Sequence, residues 1–348
     1  MSTLSEPTLA FPHPAPPEPG TLMEVAPGVL WLRLALPFAL DHVNVYLIED
    51  GAGWAVVDTG LGDDRTRLVW ERVIARELGG RPLTRIICTH FHPDHVGQVG
   101  WLSARDGLEL WMPRTEYYFS MMLQAKSNLD ALDSPSHLAF FRRHGLDEAA
   151  TDALIHRGHA YLKMTTGLPS SFRRIAPGMQ IDIGGRAFEV FTGGGHAPEQ
   201  AMLLCREERL FFAADQVLAR ISPNISVWAW EPNADPLQDY LHSLAALREA
   251  VPEDAFVLAA HNLPFIGLHE RIDELARHHA ERCARVSTAC ETPRSAAEIV
   301  PFLFKRTMDA HQTGFAFGEA LAHINYMLGR DELRVFEDDA SVQRLQAA

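Results

Sequence analysis

Thr89-His90-Phe91-His92-Pro93-Asp94-His95 packs three imidazoles and one carboxylate into six consecutive positions, directly after the apolar run Arg85-Ile86-Ile87-Cys88. In an extended segment His90 and His92 point the same way. Asp94 and His95, at the turn into a helix, reach a second point a few ångströms off. One loop can therefore serve two adjacent cations. A histidine-rich surface patch is the competing reading, and it is disfavoured because an apolar strand leads straight into the cluster.

Three more donors stand in the same context, each at the carboxyl end of an apolar strand. They are His196 after Phe188 to Gly195, Asp215 after Phe211 to Ala214, and His261 after Phe256 to Ala260. Strand ends are where sites assemble in α/β folds. Each residue alone could be a turn residue; it is the repeated placement that argues for a site.

The flanking pattern supports an α/β fold. Val29 to Leu34, Asn44 to Ile48 and Trp54 to Asp58 read as strands, separated by Pro37, Asp50 and Gly51. Residues 64–79 carry helical spacing in Leu68, Val69, Val73, Ile74 and Leu78, and Leu83 to Cys88 returns to strand. A segment at about 112–175 is dominated by helical patterns and is expected to be an insertion over the site. Strands resume at Met179 to Ile183, Ala187 to Thr192, Ala201 to Cys205, Leu210 to Ala213 and Phe256 to Ala260, with a helix near Leu237 to Glu249. From about residue 271 the chain turns helical over Arg271 to Thr288, Ser295 to Arg306 and Gly314 to Leu328, with a hairpin in Asp331 to Asp338. These readings divide the chain into a Pro-rich arm (1–20), a main domain (21–270) and a small appended domain (271–348).

Composition narrows the function. Hydrophobic residues at 47% and charged residues at 22% are ordinary globular usage, and the formal net charge of −14 repels phosphate backbones. Nucleic acid is therefore a disfavoured partner. No stretch approaches the roughly 20 apolar residues that span a bilayer, and the amino terminus lacks the basic start and apolar run of a secretory signal. Cys88, Cys205, Cys283 and Cys290 are scattered and form no C-x-x-C pair. A cytoplasmic protein is expected. Pro12, Pro14, Pro16, Pro17 and Pro19 deny the first segment a helix, so it reads as an extended tail or an arm packed on a neighbour.

With His90-x-His92-x-Asp94-His95 followed by His196, Asp215 and His261 in order, the chain resembles the metallo-β-lactamase superfamily over about residues 21–270. The resemblance implies a four-layer αββα sandwich. It further implies one metal on His90, His92 and His196, a second on Asp94, His95 and His261, and Asp215 bridging them. Asp58, after Ala55-Val56-Val57, matches an acidic position that orients a ligand from behind the metal; a strand-end turn is its other reading. Two positions depart from the family pattern: Ala214 and Asn262 stand where glycine is usual, which bears on backbone fit more than on ligand count. The tail resembles the small winged-helix domain of relatives that include an endoribonuclease. Glyoxalase II is matched at the metal site alone, since its basic glutathione-holding segment is not found.

These residues predict a hydrolase in which a hydroxide bridging two divalent ions, zinc or else iron or manganese, attacks the substrate while Asp94 or Asp215 takes up a proton. A thioester or other ester is the first choice of substrate, with a lactone, a β-lactam or a phosphodiester as alternatives. A bridging Asp215 counts against the true β-lactamases. From another class, a di-iron redox protein competes. For a small-molecule substrate, Phe38 and His42 on one loop, Asn224 and Trp228 on another, and Tyr117, Met121, Tyr161 and Met164 in the insertion are candidate pocket residues. Gly314 to Leu328 carries no Lys or Arg and includes Phe315, Phe317, Leu321, Ile324 and Met327, so it reads as packing rather than as a recognition helix. An interface, of a homodimer for example, or a support for a lid is expected there.

Overall fold

The computed structural model describes residues 9–125, 134–159, 161–305, 308 and 310–348. The first sheet holds β1 (Leu22–Ala26), β2 (Val29–Ala35), β3 (His42–Asp50), β4 (Gly53–Val57), β5 (Leu83–Ile87), β6 (Glu109–Pro113) and β7 (Arg173–Ile175), in sequence order. Its first four strands run antiparallel, and β4 to β7 run parallel. The second sheet holds β8 (Gln180–Ile183), β9 (Arg186–Gly193), β10 (Gln200–Cys205), β11 (Leu210–Ala214) and β12 (Phe256–Ala259), in the order β12-β11-β10-β9-β8. Only β11 and β12 pair in parallel within it.

The period-two alternation of each strand splits its apolar side chains between two cores. On β3, Val43, Val45 and Leu47 face one core and Tyr46 and Ile48 the other. The inner core lies between the sheets, where Trp31, Tyr46, Ile48 and Val57 meet Phe188, Val190, Leu203 and Phe212. Helices α1 (Asp64–Arg72), α2 (Pro93–Val96) and α3 (Val99–Asp106) cover the outside of the first sheet through Trp70, Val96, Val99 and Leu102. Helices α7 (Pro236–Ala250), α8 (Leu268–Ala289), α9 (Ala296–Leu303) and α10 (Ala310–Leu328) cover the second. Sheets buried on both faces explain the near-continuous apolar runs of β4, β10 and β11. The result is the expected αββα sandwich.

Between β6 and β7 lie α4 (Arg114–Gln124), α5 (Pro135–Arg143), α6 (Glu148–His159) and a short 3₁₀ turn at Tyr161–Met164. The segment expected to be a helical insertion is mainly helical, and it includes at its two ends strand residues that extend the first sheet. The carboxy-terminal region does not stand apart, because Val286, Ile299, Phe317 and Leu345 share one core with Met202 and Phe211 of the second sheet. The expected hairpin is displaced: β13 (Leu333–Glu337) pairs with β14 (Gln343–Ala347), so Asp331 to Asp338 supplies one strand and the start of the turn. The described part of the proline-rich arm, from residue 9 onward, docks on the chain's own body. Ala10 bridges Ile266 and His13 Nε2 bonds the Val25 carbonyl. Among the described residues no helix is long and apolar enough to cross a membrane, and all four cysteines are buried and unpaired.

Candidate metal centre

The parallel order of β4 and β5 brings their carboxyl ends together, and β9, β11 and β12 end on the same rim from the second sheet. Asp58, His90, His196, Asp215 and His261 each follow one of these five strands within three residues. His92, Asp94 and His95 continue from His90 into α2. Two donor groups result, His90, His92, His196 and Asp215 in one and Asp94, His95 and His261 in the other, each with ligand atoms within 4.8 Å of one another. Asp215 faces both groups. Its Oδ2 lies 3.1 Å from His196 Nε2 and 3.5 Å from His95 Nε2, and its Oδ1 lies 3.3 Å from His261 Nε2.

His90, His95, His196 and His261 each turn their other nitrogen to a fixed protein partner. His196 Nδ1 donates to the Asn224 carbonyl at 2.9 Å and His261 Nδ1 to the His42 carbonyl at 2.8 Å. His95 Nδ1 donates to Asp58 Oδ2 at 2.8 Å, and His90 Nδ1 lies 2.9 Å from the Thr89 hydroxyl. A carbonyl or carboxylate can only accept, so the protons of His95, His196 and His261 sit on Nδ1 and their Nε2 lone pairs point into the cluster. His92 instead presents Nδ1, 3.0 Å from Nε2 of both His90 and His196.

This donor set fits metal ions. Among the described residues His95 Nε2 and Asp215 Oδ1 are buried without a hydrogen-bond partner, a costly state for polar atoms that a cation relieves. Three ring nitrogens converging at 3.0 Å cannot all be satisfied by one proton. The electrostatics agree. Burial would raise the Asp215 carboxyl, but the rings of His261, His95 and His196 outweigh it and hold it well below the usual range. Burial, helped by the neighbouring rings of His95 and His92, pushes His90 well down. His95 and His261 resist their burial because Asp94, Asp58 and Asp215 surround the first, and Asp215 and Asp94 the second.

The carboxylate of Asp58 serves both groups. Oδ2 accepts from His95 Nδ1 and from the Thr89 hydroxyl at 2.8 Å, and Oδ1 accepts from Thr89 N–H at 2.8 Å. Asp58 takes φ 62°, Ala214 φ 45° and Asn262 φ 66°. The two departures from the family pattern therefore occupy the backbone region that favours glycine. Asn tolerates it, and Asn262 is further held by His42 Nε2, which accepts its N–H at 2.9 Å.

Several expected pocket residues have other contacts. Tyr117 is buried, stacks on Phe172 at 3.9 Å and donates to the Pro169 carbonyl. The Tyr161 hydroxyl donates to the Phe91 carbonyl at 2.6 Å, bracing the metal loop. His42 and Asn224 stand behind His261 and His196. Met164 packs into the core outside the first sheet and its carbonyl holds Gly62 N–H. Met121 and Phe38 are exposed, and Trp228 stacks on Trp230 at 5.2 Å. The difference is physical: helical spacing selects a buried face but not its neighbour.

Other residues carried no local signal. Glu116 on α4 is fully buried, and its carboxylate accepts from Phe91 N–H at 3.0 Å and Glu199 N–H at 2.5 Å. It links the metal loop to the segment after His196, and burial pushes its carboxyl up to about 8. Asn44 donates to the Ala259 and Asn262 carbonyls, bracing the turn that carries His261. Nothing in a lone glutamate or asparagine of a periodic segment marks either role.

Comparison with known proteins follows the same lines. The chain is 40% identical to a beta-lactamase domain protein from Burkholderia ambifaria of known structure, with a TM-score of 0.90 and 98% of each chain covered. A metallo-beta-lactamase family protein from Thermus thermophilus is 27% identical with a TM-score of 0.78, over 93% of this chain and 100% of that one. Among curated proteins, the probable metallo-hydrolase YqjP of Bacillus subtilis (strain 168) is 24% identical over 90% of this chain and 96% of its own. The linear primary-alkylsulfatase of Pseudomonas sp. (strain ATCC 19151) is also 24% identical, over 66% of this chain and 43% of its own length. Residues 283–348 match the metallo-beta-lactamase-like C-terminal domain. Residues 39–261, which hold every donor described above, match the Metallo-beta-lactamase superfamily, and the chain belongs to that superfamily.

Proposed function

We propose that the protein is a hydrolase using two divalent metal ions, zinc foremost, on a small thioester or other ester with an apolar chain. The observation that carries the metal reading is the set of orphaned, inward-facing donor atoms whose tautomers are held from behind. Divalent ions in such a site supply a water with a pKa lowered toward about 7 and polarise the scissile group. The seven donors divide naturally between two ions, since one tetrahedral centre uses four.

The chain's own groups supply the rest. His92, Asp94 and His196 are the partly exposed donors and mark the side from which substrate enters. Asp94 Oδ2, 3.6 Å from His95 Nε2 and 3.5 Å from His261 Nε2, is placed to take the proton of the attacking water. Asp215, kept charged by the surrounding rings, orients them.

The ester reading rests on aromatic rings leading away from the loop. Phe91 packs on His92 at 4.5 Å and on Phe119 at 4.8 Å; Phe119 meets Trp230 at 5.5 Å, which stacks on Trp228. These rings form a wall suited to an acyl or alkyl chain and poorly suited to a polyanion. One relative is named for primary alkyl sulfates, so a sulfate ester belongs among the substrates tried. The carboxy-terminal region, which we read as winged-helix-like, keeps Phe317, Leu321 and Ile324 of α10 inside the molecule, which argues against docking on nucleic acid.

The test is a panel of acyl thioesters, aryl esters, alkyl sulfates, lactones, β-lactams and RNA, offered to metal-loaded and metal-stripped protein. Turnover of esters or thioesters by the loaded form, rising with chain length, supports the proposal. Activity confined to RNA or β-lactams, or untouched by stripping, overturns it.

A further inference from the structure

We propose that helix α10 is a working part of the metal centre, positioning the imidazole of His196 through the loop at Asn224. This inference rests on the metal reading above. It starts from a single contact: the Asn224 main-chain carbonyl accepts from His196 Nδ1 and sets both the tautomer and the tilt of that ring.

Asn224 lies on the long stretch between β11 and α7, which belongs to no strand or helix. Helix α10 holds that stretch at three levels. The Gly318 carbonyl accepts from Val227 N–H at 3.1 Å. The Asn224 amide donates to the Phe315 carbonyl and to Glu319 Oε2, each at 3.4 Å, while the Ser226 hydroxyl donates to Asn224 Oδ1 at 2.6 Å. Further along, the Asn325 amide donates to the Pro232 and Ala234 carbonyls at 3.0 and 2.8 Å. Glu319 is itself buried and faces Arg282 of α8 at 3.5 Å, so the grip extends across two helices of the carboxy-terminal region.

Gly318 makes the approach possible. A Cβ added there would meet Ser226 Oγ at 2.7 Å and Ser226 Cβ at 2.9 Å, and the second atom has no rotamer by which to retreat. Glycine is a poor choice for a helix interior. Its presence in the middle of α10 is accounted for by the loop that must lie against it.

Gly318→Ala separates this role from simple packing, because alanine favours the helix while displacing the loop. We expect zinc affinity, measured by competition with a chromophoric chelator, to fall about tenfold or more at one of the sites. The visible spectrum of the cobalt(II)-loaded protein should change with it, and circular dichroism should remain that of the parent. Adding Ser226→Gly, which removes both clashing atoms, should restore much of the affinity. Asn224→Ala, which unhooks the loop but keeps the carbonyl, is a second probe should Gly318→Ala fold poorly; it should also weaken zinc binding. Folded variants that keep parental zinc affinity and cobalt spectrum overturn the proposal. A parent protein that binds neither zinc nor cobalt overturns the metal reading instead.

Discussion

Asp58→Asn offers the sharpest perturbation of the centre. Asparagine tolerates the positive φ of 62° at this position, and its amide nearly matches the carboxylate in shape. Thr89 N–H, a main-chain donor with no freedom to turn, lies 2.8 Å from Oδ1, so the amide oxygen must take that place. The new NH₂ then faces His95 Nδ1, where Oδ2 now accepts at 2.8 Å. Two donors cannot share that contact. The ring must move its proton to Nε2, the atom that points into the cluster, and lose its lone pair there. The same substitution takes from the Thr89 hydroxyl its nearer acceptor, Oδ2 at 2.8 Å, and leaves it only Oδ1 at 3.1 Å; that hydroxyl supports His90 Nδ1 in the other donor group. Losing a partner that orients a metal-bound histidine costs about 10–100-fold in affinity, or about 1.4–2.8 kcal/mol. Here both groups should be weakened. The assay is zinc competition with a chromophoric chelator, with elemental analysis after dialysis and circular dichroism to check the fold. A folded variant that binds zinc as tightly as the parent would refute the tautomer argument.

Other expectations follow from single contacts. Asp215→Ala should reduce turnover by more than the roughly 10–100-fold cost of a supporting hydrogen bond, with the circular dichroism unchanged because the packing of Phe211 and Phe212 persists; equal loss of both would make it a structural residue. Tyr161→Phe removes the 2.6 Å bond to the Phe91 carbonyl and should cost about 1 kcal/mol, read as a lower urea midpoint, which an unchanged midpoint contradicts. For Glu116 the folded carboxyl sits at about 8 against an ordinary value of 4.5, so between these values the native state keeps a proton that the unfolded chain has released. Stability should therefore decline as pH rises through this window. Glu116→Gln, which has no proton to lose, should flatten that part of the profile in urea unfolding at several pH values, and an identical profile would exclude Glu116 as its source.

The legible part of this protein was local. His90, His92, Asp94 and His95 are close in space because they are close in sequence, and a strand end delivers them together. His196, Asp215 and His261 could be picked out because each closes an apolar run, and the alternation of strands and helices gave an α/β fold, while the four-layer sandwich came from the family resemblance. Sequence likeness supplied the grouping into two sets. Strands β6 and β7 escaped notice because a short parallel strand resembles the apolar stretches beside it, and the hairpin shifted because turn residues mark a reversal but not its second partner.

Only the tertiary structure decided what stands behind the donors. Hydrophobic spacing places Tyr117 and Tyr161 on buried faces, but that Tyr117 stacks on Phe172 while Tyr161 braces Phe91 depends on how α4 and the turn at Tyr161–Met164 pack on the loop. Glu116 gains its role from two main-chain N–H groups on different segments. Asn224 gains its own from a helix about ninety residues later in the chain. Side-chain type and periodicity carry the chemistry and the burial of a residue. The direction of a hydrogen bond, and with it the tautomer of a histidine, is set by whichever backbone the folded chain brings within about 3 Å.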